Sequence, residues 1–503
     1  MKRILFIISC LCLTFSIQAQ PRGRVQTLTD EEKYLDAMHR HITSEKLYGY
    51  VCQLSDTSLH GRLAGSEGMA QAVKIVENYY KSWNLLPAAG NGAYIQEYPH
   101  PCVEIEDGEM EILFPMNGTK KNETFWVPKQ YEWADGWFAG NNSGSGDITA
   151  DIVYAGFGVS APELGYDDYA GIDVRGKIVL IEGETPNRSQ NPDSIRMWYN
   201  HTLHQTKQAN AAQHGAIGML YLWVPGPNAL YNKDFVYCHI TEKVAEDVFL
   251  GTGKTYRETV ANIYRTFKPA SFATGKKAHI RMVSKYNPNA TGKNIIGEIK
   301  GSDPNLADEY VIVSAHLDHL GMLPYHIAGA NDNNSSTAAM LGVAEALAKS
   351  AVKPKRSVLF ISLDGEEAGL TGSTYYTLHP TVPKDKIKAI INLEMPGTGE
   401  ALAASIAESS PQLLPIVEDA NRKYVHRQLT ARTSPYLTRP RTDGAVFAKA
   451  GYPVADIRGR ESFYYHHPLD NPESINPELL QSFSEWLFWI TVLTASDTYP
   501  SSR

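Results

Sequence analysis

Residues 356–373 read "RSVLFISLDGEEAGLTGS". The short apolar run in its first half has the length and composition of a buried strand. Just beyond that run, Asp364, Glu366 and Glu367 put three carboxylates within four positions, with Gly365 among them. Like charges crowded at a strand end repel one another unless something positive sits among them. The stretch therefore asks for a cation, and for separate tasks for the two adjacent glutamates.

The sequence on either side supplies the fold. From about residue 290, strand-like and helix-like segments alternate: "EYVIVSAH", "SSTAAMLGVAEALAKS", "SVLFISL", "AIINLEM" and "GYPVADIRG". Such alternation predicts an α/β domain, a mostly parallel twisted sheet with helices on both faces. Asn and Ser residues before the helical segment are N-cap candidates. Residues 30 to 85 read as helical around the Gly-rich loop "HGRLAGSEG", followed by the alternating strands "GAYIQEY" and "VEIEDGEMEILF". From 120 to 285 the character changes to short strands rich in Gly, Asn and Pro, including "GYDDYAGIDVRGKIVLIEG". We read 120–285 as a small β-rich domain inserted into a catalytic domain made of 20–119 and 286–503.

Open α/β sheets place their sites beyond the carboxyl ends of the strands. His316 and Asp318 stand there in "SAHLDHLG", Asp332 in "GANDNNSS", the three acids of the opening stretch, Glu394 in "INLEMPG", and His466 and His467 in "YYHHPLDNPE". Singly each has a bland reading, Asp332 as a helix cap and Glu366 with Glu367 as a solvated turn. At successive strand ends they form a metal-ligand inventory. Imidazole and carboxylate donors without thiolate suit zinc. Five such donors exceed the three a single catalytic zinc uses, and fit two metals that share one carboxylate. A two-metal site activates water near neutral pH and polarises a scissile carbonyl, and a carboxylate free of metal is then the natural general base.

These motifs, in this order, resemble the co-catalytic zinc aminopeptidases, a peptidase family that also contains glutamate carboxypeptidase. The inserted region is similar to the protease-associated domain of some members. By position, the resemblance implies two zinc ions per chain, with His316 and Glu394 on one, Glu367 and His466 on the other, and Asp332 bridging. It implies Glu366 as general base, Asp318 orienting His316, and Tyr465 as a phenol that stabilises the oxyanion. Many members carry Asp where this chain has Glu394, and zinc accepts either carboxylate. Asp364 is left as a turn-forming acid.

The implied activity is a zinc-dependent exopeptidase acting on the N-terminal residues of peptides. A carboxypeptidase or dipeptidase on the same core would need a cation for the substrate carboxylate, for which Arg439 and Arg441 in "YLTRPRTDG" are candidates. A single-zinc cyclase is disfavoured by the intact His316 and Asp318 pair, and a catalytically silent binding module by the filled donor positions. The formal net charge of -8 with no basic run argues against nucleic acid as a partner. "MKRILFIISCLCLTFSIQAQ" has the pattern of a leader cleaved near Ala19, which predicts secretion or periplasmic export. No other segment has the roughly 20 apolar residues of a spanning helix. Outside the leader only Cys52, Cys102 and Cys238 remain, which excludes a disulfide scaffold and allows at most one disulfide.

Overall fold

The computed structural model describes residues 28–120, 123–434 and 441–499. The leader expectation at 1–19 and Arg439 lie outside the described residues. Strands Tyr310–His316, Ser357–Leu363, Ile387–Glu394 and Val454–Gly459 run parallel at the centre of a nine-stranded sheet among the described residues. Antiparallel neighbours flank this parallel centre, Thr291–Ile299 on one side and Leu402–Ala407 on the other. The order requires crossovers between the parallel strands, and these are helical. Val311, Val313 and Ala315 point to one face, where they pack with Met340, Leu347 and Trp486 of helices Ser336–Lys349 and Pro477–Thr494. Ile312, Leu359 and Ile361 point to the other, against Tyr376 and Phe447 of helices Thr371–Leu378 and Asp443–Lys449. A strand buried on both faces has no polar side to show, which is why these segments read as unbroken apolar runs.

A second sheet of eight strands is built from the middle of the chain. Strand Cys102–Asn117 lies in it, paired antiparallel with Phe272–Asn287, although the whole strand falls before the boundary expected at 120. Alternation identified this segment as a strand but says nothing about which sheet it joins. The two sheets share packing. Leu320, Leu323 and Ile327, from the loop after Tyr310–His316, are fully buried in the core of the second sheet. Asn141 donates to Leu320 O at 3.0 Å, and the Trp133 indole donates to Leu323 O.

The N-cap expectation for helix Ser336–Lys349 is corrected. An irregular turn, Ala330–Ser335, precedes the helix, and Ser335 makes no side-chain cap. Its hydroxyl turns back to Asn331 O at 2.7 Å, stabilising the turn instead. Cys52, Cys102 and Cys238 are all free thiols. No helix among the described residues is long and apolar enough to cross a membrane.

The loop that holds the site is pinned from beneath by the Gly-rich segment. Gly61 has φ of 65°, and a Cβ there would stand 2.4 Å from Gly321 O, so only glycine fits this approach. Arg62 is fully buried and donates to four carbonyls: Leu317 and Ala328 at 2.8 Å, Leu54 at 2.7 Å and Gly329 at 3.3 Å. Arg62→Ala would leave these acceptors unpaired and remove a buried cation from beneath a group of acids. We expect a loss of about 3 kcal/mol or more in urea unfolding. A loss below about 1 kcal/mol, the scale of an ordinary surface change, would contradict this role for the side chain.

Candidate metal centre

Parallel strands deliver side chains to one edge, and here that edge collects His316, Asp332, Glu366, Glu367, Glu394 and His466. His316 ends one central strand and Glu394 another, while Glu366 and Glu367 follow the end of Ser357–Leu363. Asp332 comes from the turn Ala330–Ser335, and His466 from the loop after Val454–Gly459. The two oxygens of Asp332 face different histidines. Oδ1 lies 3.4 Å from His316 Nε2, and Oδ2 lies 3.3 Å from His466 Nε2. Glu394 Oε2 stands 3.7 Å from His316 Nε2, and Glu367 Oε2 stands 3.0 Å from His466 Nε2. One carboxylate thus sits between two imidazole–carboxylate pairs. Glu366 offers an oxygen to the His316 side, where donor atoms of His316, Glu366 and Glu394 lie within 4.8 Å of one another.

His319 is an addition that sequence reasoning passed over. It is fully buried, its Nδ1 is 3.0 Å from Glu367 Oε1, and a donor atom of its ring groups with Asp332 and Glu367. Its Nε2 has no hydrogen-bond partner among the described residues. The signal was present in the spacing, since His319 stands three residues after His316 in "HLDH".

The supporting contacts explain how acids this close are held apart. Asp318 accepts from the backbone N–H of Glu366 at 3.0 Å and of Glu367 at 3.2 Å. Its nearer carboxylate oxygen is 3.7 Å from His316 Nδ1, and its backbone carbonyl is closer, at 3.2 Å. The Asp318 side chain therefore shapes the Glu366–Glu367 turn more directly than it orients His316. Asp470, which had no expected role, accepts from Asn331 N at 2.7 Å and Asp332 N at 3.0 Å. Asn333 accepts from Met395 N at 2.9 Å and donates to Leu393 O at 3.0 Å, tying the Asp332 turn to the strand end that carries Glu394. His466 Nδ1 lies 2.5 Å from Pro225 O in the second sheet's domain. A carbonyl can only accept, so Nδ1 carries the proton and Nε2 is free to face Asp332 and Glu367. Tyr465 stacks on the His466 ring at 3.8 Å; the residue is 45% exposed and lines the cleft.

Charge states follow from this packing. Burial opposes charge on His466, but Glu367 and Asp332 outweigh it and raise its pKa to about 10. Burial likewise opposes charge on Glu367, yet His466, with His319, holds the carboxyl down at about 2. Burial raises Glu394 to about 7. Burial, reinforced by Glu367 and Glu394, pushes Glu366 well above the usual carboxylate range. An acid that readily holds a proton therefore stands beside acids that stay ionised.

Nitrogen and oxygen donors, no thiolate, and a carboxylate with one oxygen toward each of two histidines form a set that fits zinc. Fold and donor set together define an α/β protein with a buried imidazole–carboxylate metal-binding cluster. By comparison, residues 294–490 match the model of peptidase family M28, and residues 148–246 match that of the PA domain. An aminopeptidase of Pseudomonas aeruginosa is 28% identical over 306 residues, covering 59% of this chain and 49% of that protein. The chain thus matches about half the length of that curated relative. The crystal structure of a peptidase M28 precursor from Shewanella amazonensis SB2B superposes with a TM-score of 0.67 at 19% identity, covering 93% of this chain and 98% of that one. The zinc aminopeptidase BSAP from Bacillus subtilis superposes with a TM-score of 0.60 at 21% identity, covering 92% and 99%. Both likenesses establish the fold.

If the donors converge on a cation, zinc will bind the folded chain and not the unfolded one. At roughly a hundred times Kd, such binding stabilises by about 2.7 kcal/mol. Calorimetry of chelator-treated protein should show melting move upward on adding zinc, and far less so for Glu367→Ala. An unmoved transition in the unaltered chain would mean that these donors do not form a site.

Proposed function

We propose that this protein is a zinc-dependent exopeptidase, an aminopeptidase that removes N-terminal residues from peptides. The observation that carries this reading is Asp332, with Oδ1 toward His316 and Oδ2 toward His466. In this assignment His316 and Glu394 would hold one zinc ion and Glu367 and His466 the other, with Asp332 shared between the two sites. His319 braces Glu367 through the 3.0 Å contact. The catalytic unit is made of 20–119 and 286–503 and the insert of 120–285, with Cys102–Asn117 contributing a strand to the insert's sheet. The leader reading of 1–19 adds secretion or periplasmic export.

Bound zinc supplies a Lewis acid for the scissile carbonyl and a low-pKa water. The chain's own residues do the rest. Glu366 takes the proton of the attacking water on a carboxylate oxygen and returns it to the leaving amine nitrogen. Asp318 holds the N–H groups of Glu366 and Glu367, so the adjacent side chains diverge, one to the substrate and one to the metal. Tyr465, exposed in the cleft beside His466, offers its hydroxyl to the oxyanion. Arg441 also lines the cleft, but its guanidinium is 3.2 Å from Glu184. A substrate carboxylate would have to compete with Glu184 for it, which weighs toward the amino-end reading over a carboxypeptidase.

Glu366→Gln should lower kcat/KM for aminoacyl anilides by about 10²–10⁴-fold while the protein keeps its zinc. Glu367→Ala should lose zinc as well as activity. Paired kinetics and elemental analysis check both, and a Glu366→Gln protein with near-normal turnover would overturn the division of roles.

A further inference from the structure

The cleft beside Glu366, Glu367 and Tyr465 encloses about 310 Å³, and most of its opposite wall comes from the insert. That wall is polar and unsatisfied. His204, Gln205 and Asn228 line it, and His204 Nδ1, Gln205 Oε1 and Asn228 Oδ1 are buried with no hydrogen-bond partner among the described residues. Behind them the Tyr221 ring packs edge-on against His204 at 5.0 Å, and His239 lies 5.3 Å from Tyr221. The Tyr221 hydroxyl and His239 Nε2 are unpartnered as well. Buried polar atoms are normally bonded, and a group of them left open at one wall needs a cause.

The wall is fixed relative to the chemistry. Pro225, in the same lining, accepts from His466 Nδ1, and the insert's core encloses Leu320 and Leu323 from the catalytic loop. Charge does not dominate it, because Glu184 and Arg441 at its edge pair with each other. Burial, with His239 and Lys207 nearby, keeps His204 neutral, with one ring nitrogen to donate and one to accept. An apolar side chain entering this space would leave the open atoms of His204, Gln205 and Asn228 unpaired, whereas a carboxamide brings two donors and an acceptor.

We propose that the insert forms a side-chain subsite selective for an uncharged hydrogen-bonding side chain, such as a carboxamide, and that His204 is the residue that reads it. The proposal rests on the exopeptidase reading above, and sites that hydrogen-bond a substrate group discriminate strongly against analogues lacking it. Glutamine and methionine are close in size and differ in this chemistry, so they are the probes. Titration calorimetry on the zinc-loaded full chain should give L-glutamine a Kd about tenfold or more below that of L-methionine. His204→Phe should reduce the preference to within about threefold, and Gln205→Leu, a milder change, should reduce it in part. Methionine binding as tightly as glutamine in the unaltered chain overturns the subsite, as does a preference that survives both substitutions. The matching anilides should show the same ratios in kcat/KM. If neither anilide is hydrolysed in a chelator-sensitive way, the exopeptidase reading fails, and the ratio of binding constants still decides the subsite.

Discussion

Carboxylates packed together away from water must share their space with positive charge or give up their own. At the C-terminal edge of the central sheet, Asp332, Glu366, Glu367 and Glu394 meet three imidazoles, and the arrangement turns on Asp332 being held between two of them. Everything nearby serves to hold that carboxylate in place. Asp470 holds its backbone, Asn333 ties its turn to the strand of Glu394, and Arg62 anchors the carbonyls of the adjoining loop. A helix cap at Asp332 would have engaged its oxygens with the backbone. The irregular turn Ala330–Ser335 instead leaves both oxygens facing side chains.

The insert is tied into the same arrangement. Its core contains residues of the loop that follows His316, and its Pro225 carbonyl fixes the proton on His466. Removing it would therefore expose Leu320, Leu323 and Ile327 and also free the imidazole to change tautomer. The insert lines one side of the cleft while the strand ends line the other, so loops of two different sheets meet at the position where a substrate side chain would lie. A domain that only shielded the cleft mouth would not need to touch a histidine of the cluster.

Much of this was legible because strand ends are legible. Apolar runs such as "VLFISL" carry their own length, and the residue after each run is the one the sheet presents at its edge. His316 and Glu394 were placed in this way, Glu366 and Glu367 just beyond a run, and Asp332 and His466 in the loops that follow, and the fold brings them together. What escaped the sequence acts through the backbone or through distant contacts. The Pro225 carbonyl is a main-chain group with no residue signature, and Asp470 works on two N–H groups some 140 positions away. Asp318 was expected to serve His316, but its oxygens are taken by the N–H groups of the next strand's turn, a partner that only register decides. The strand Cys102–Asn117 was recognised as a strand, but its pairing with Phe272–Asn287 was not legible, since alternation records burial and not pairing.

The two adjacent glutamates show why register matters chemically. Glu367 lies among His319, His466 and Asp332, an environment of imidazoles that keeps its carboxyl ionised. Glu366, one residue earlier, faces Glu394 and the cleft, where burial and like charge favour the protonated form. A shift of one residue along this turn would leave a single glutamate for the two positions, because Gly365 or Ala368 would take the other. The hydrogen bonds from both backbone N–H groups to the two oxygens of Asp318 hold the turn in the observed register. By accepting from both N–H groups, Asp318 helps hold the two glutamates apart, one among the imidazoles and one at the cleft.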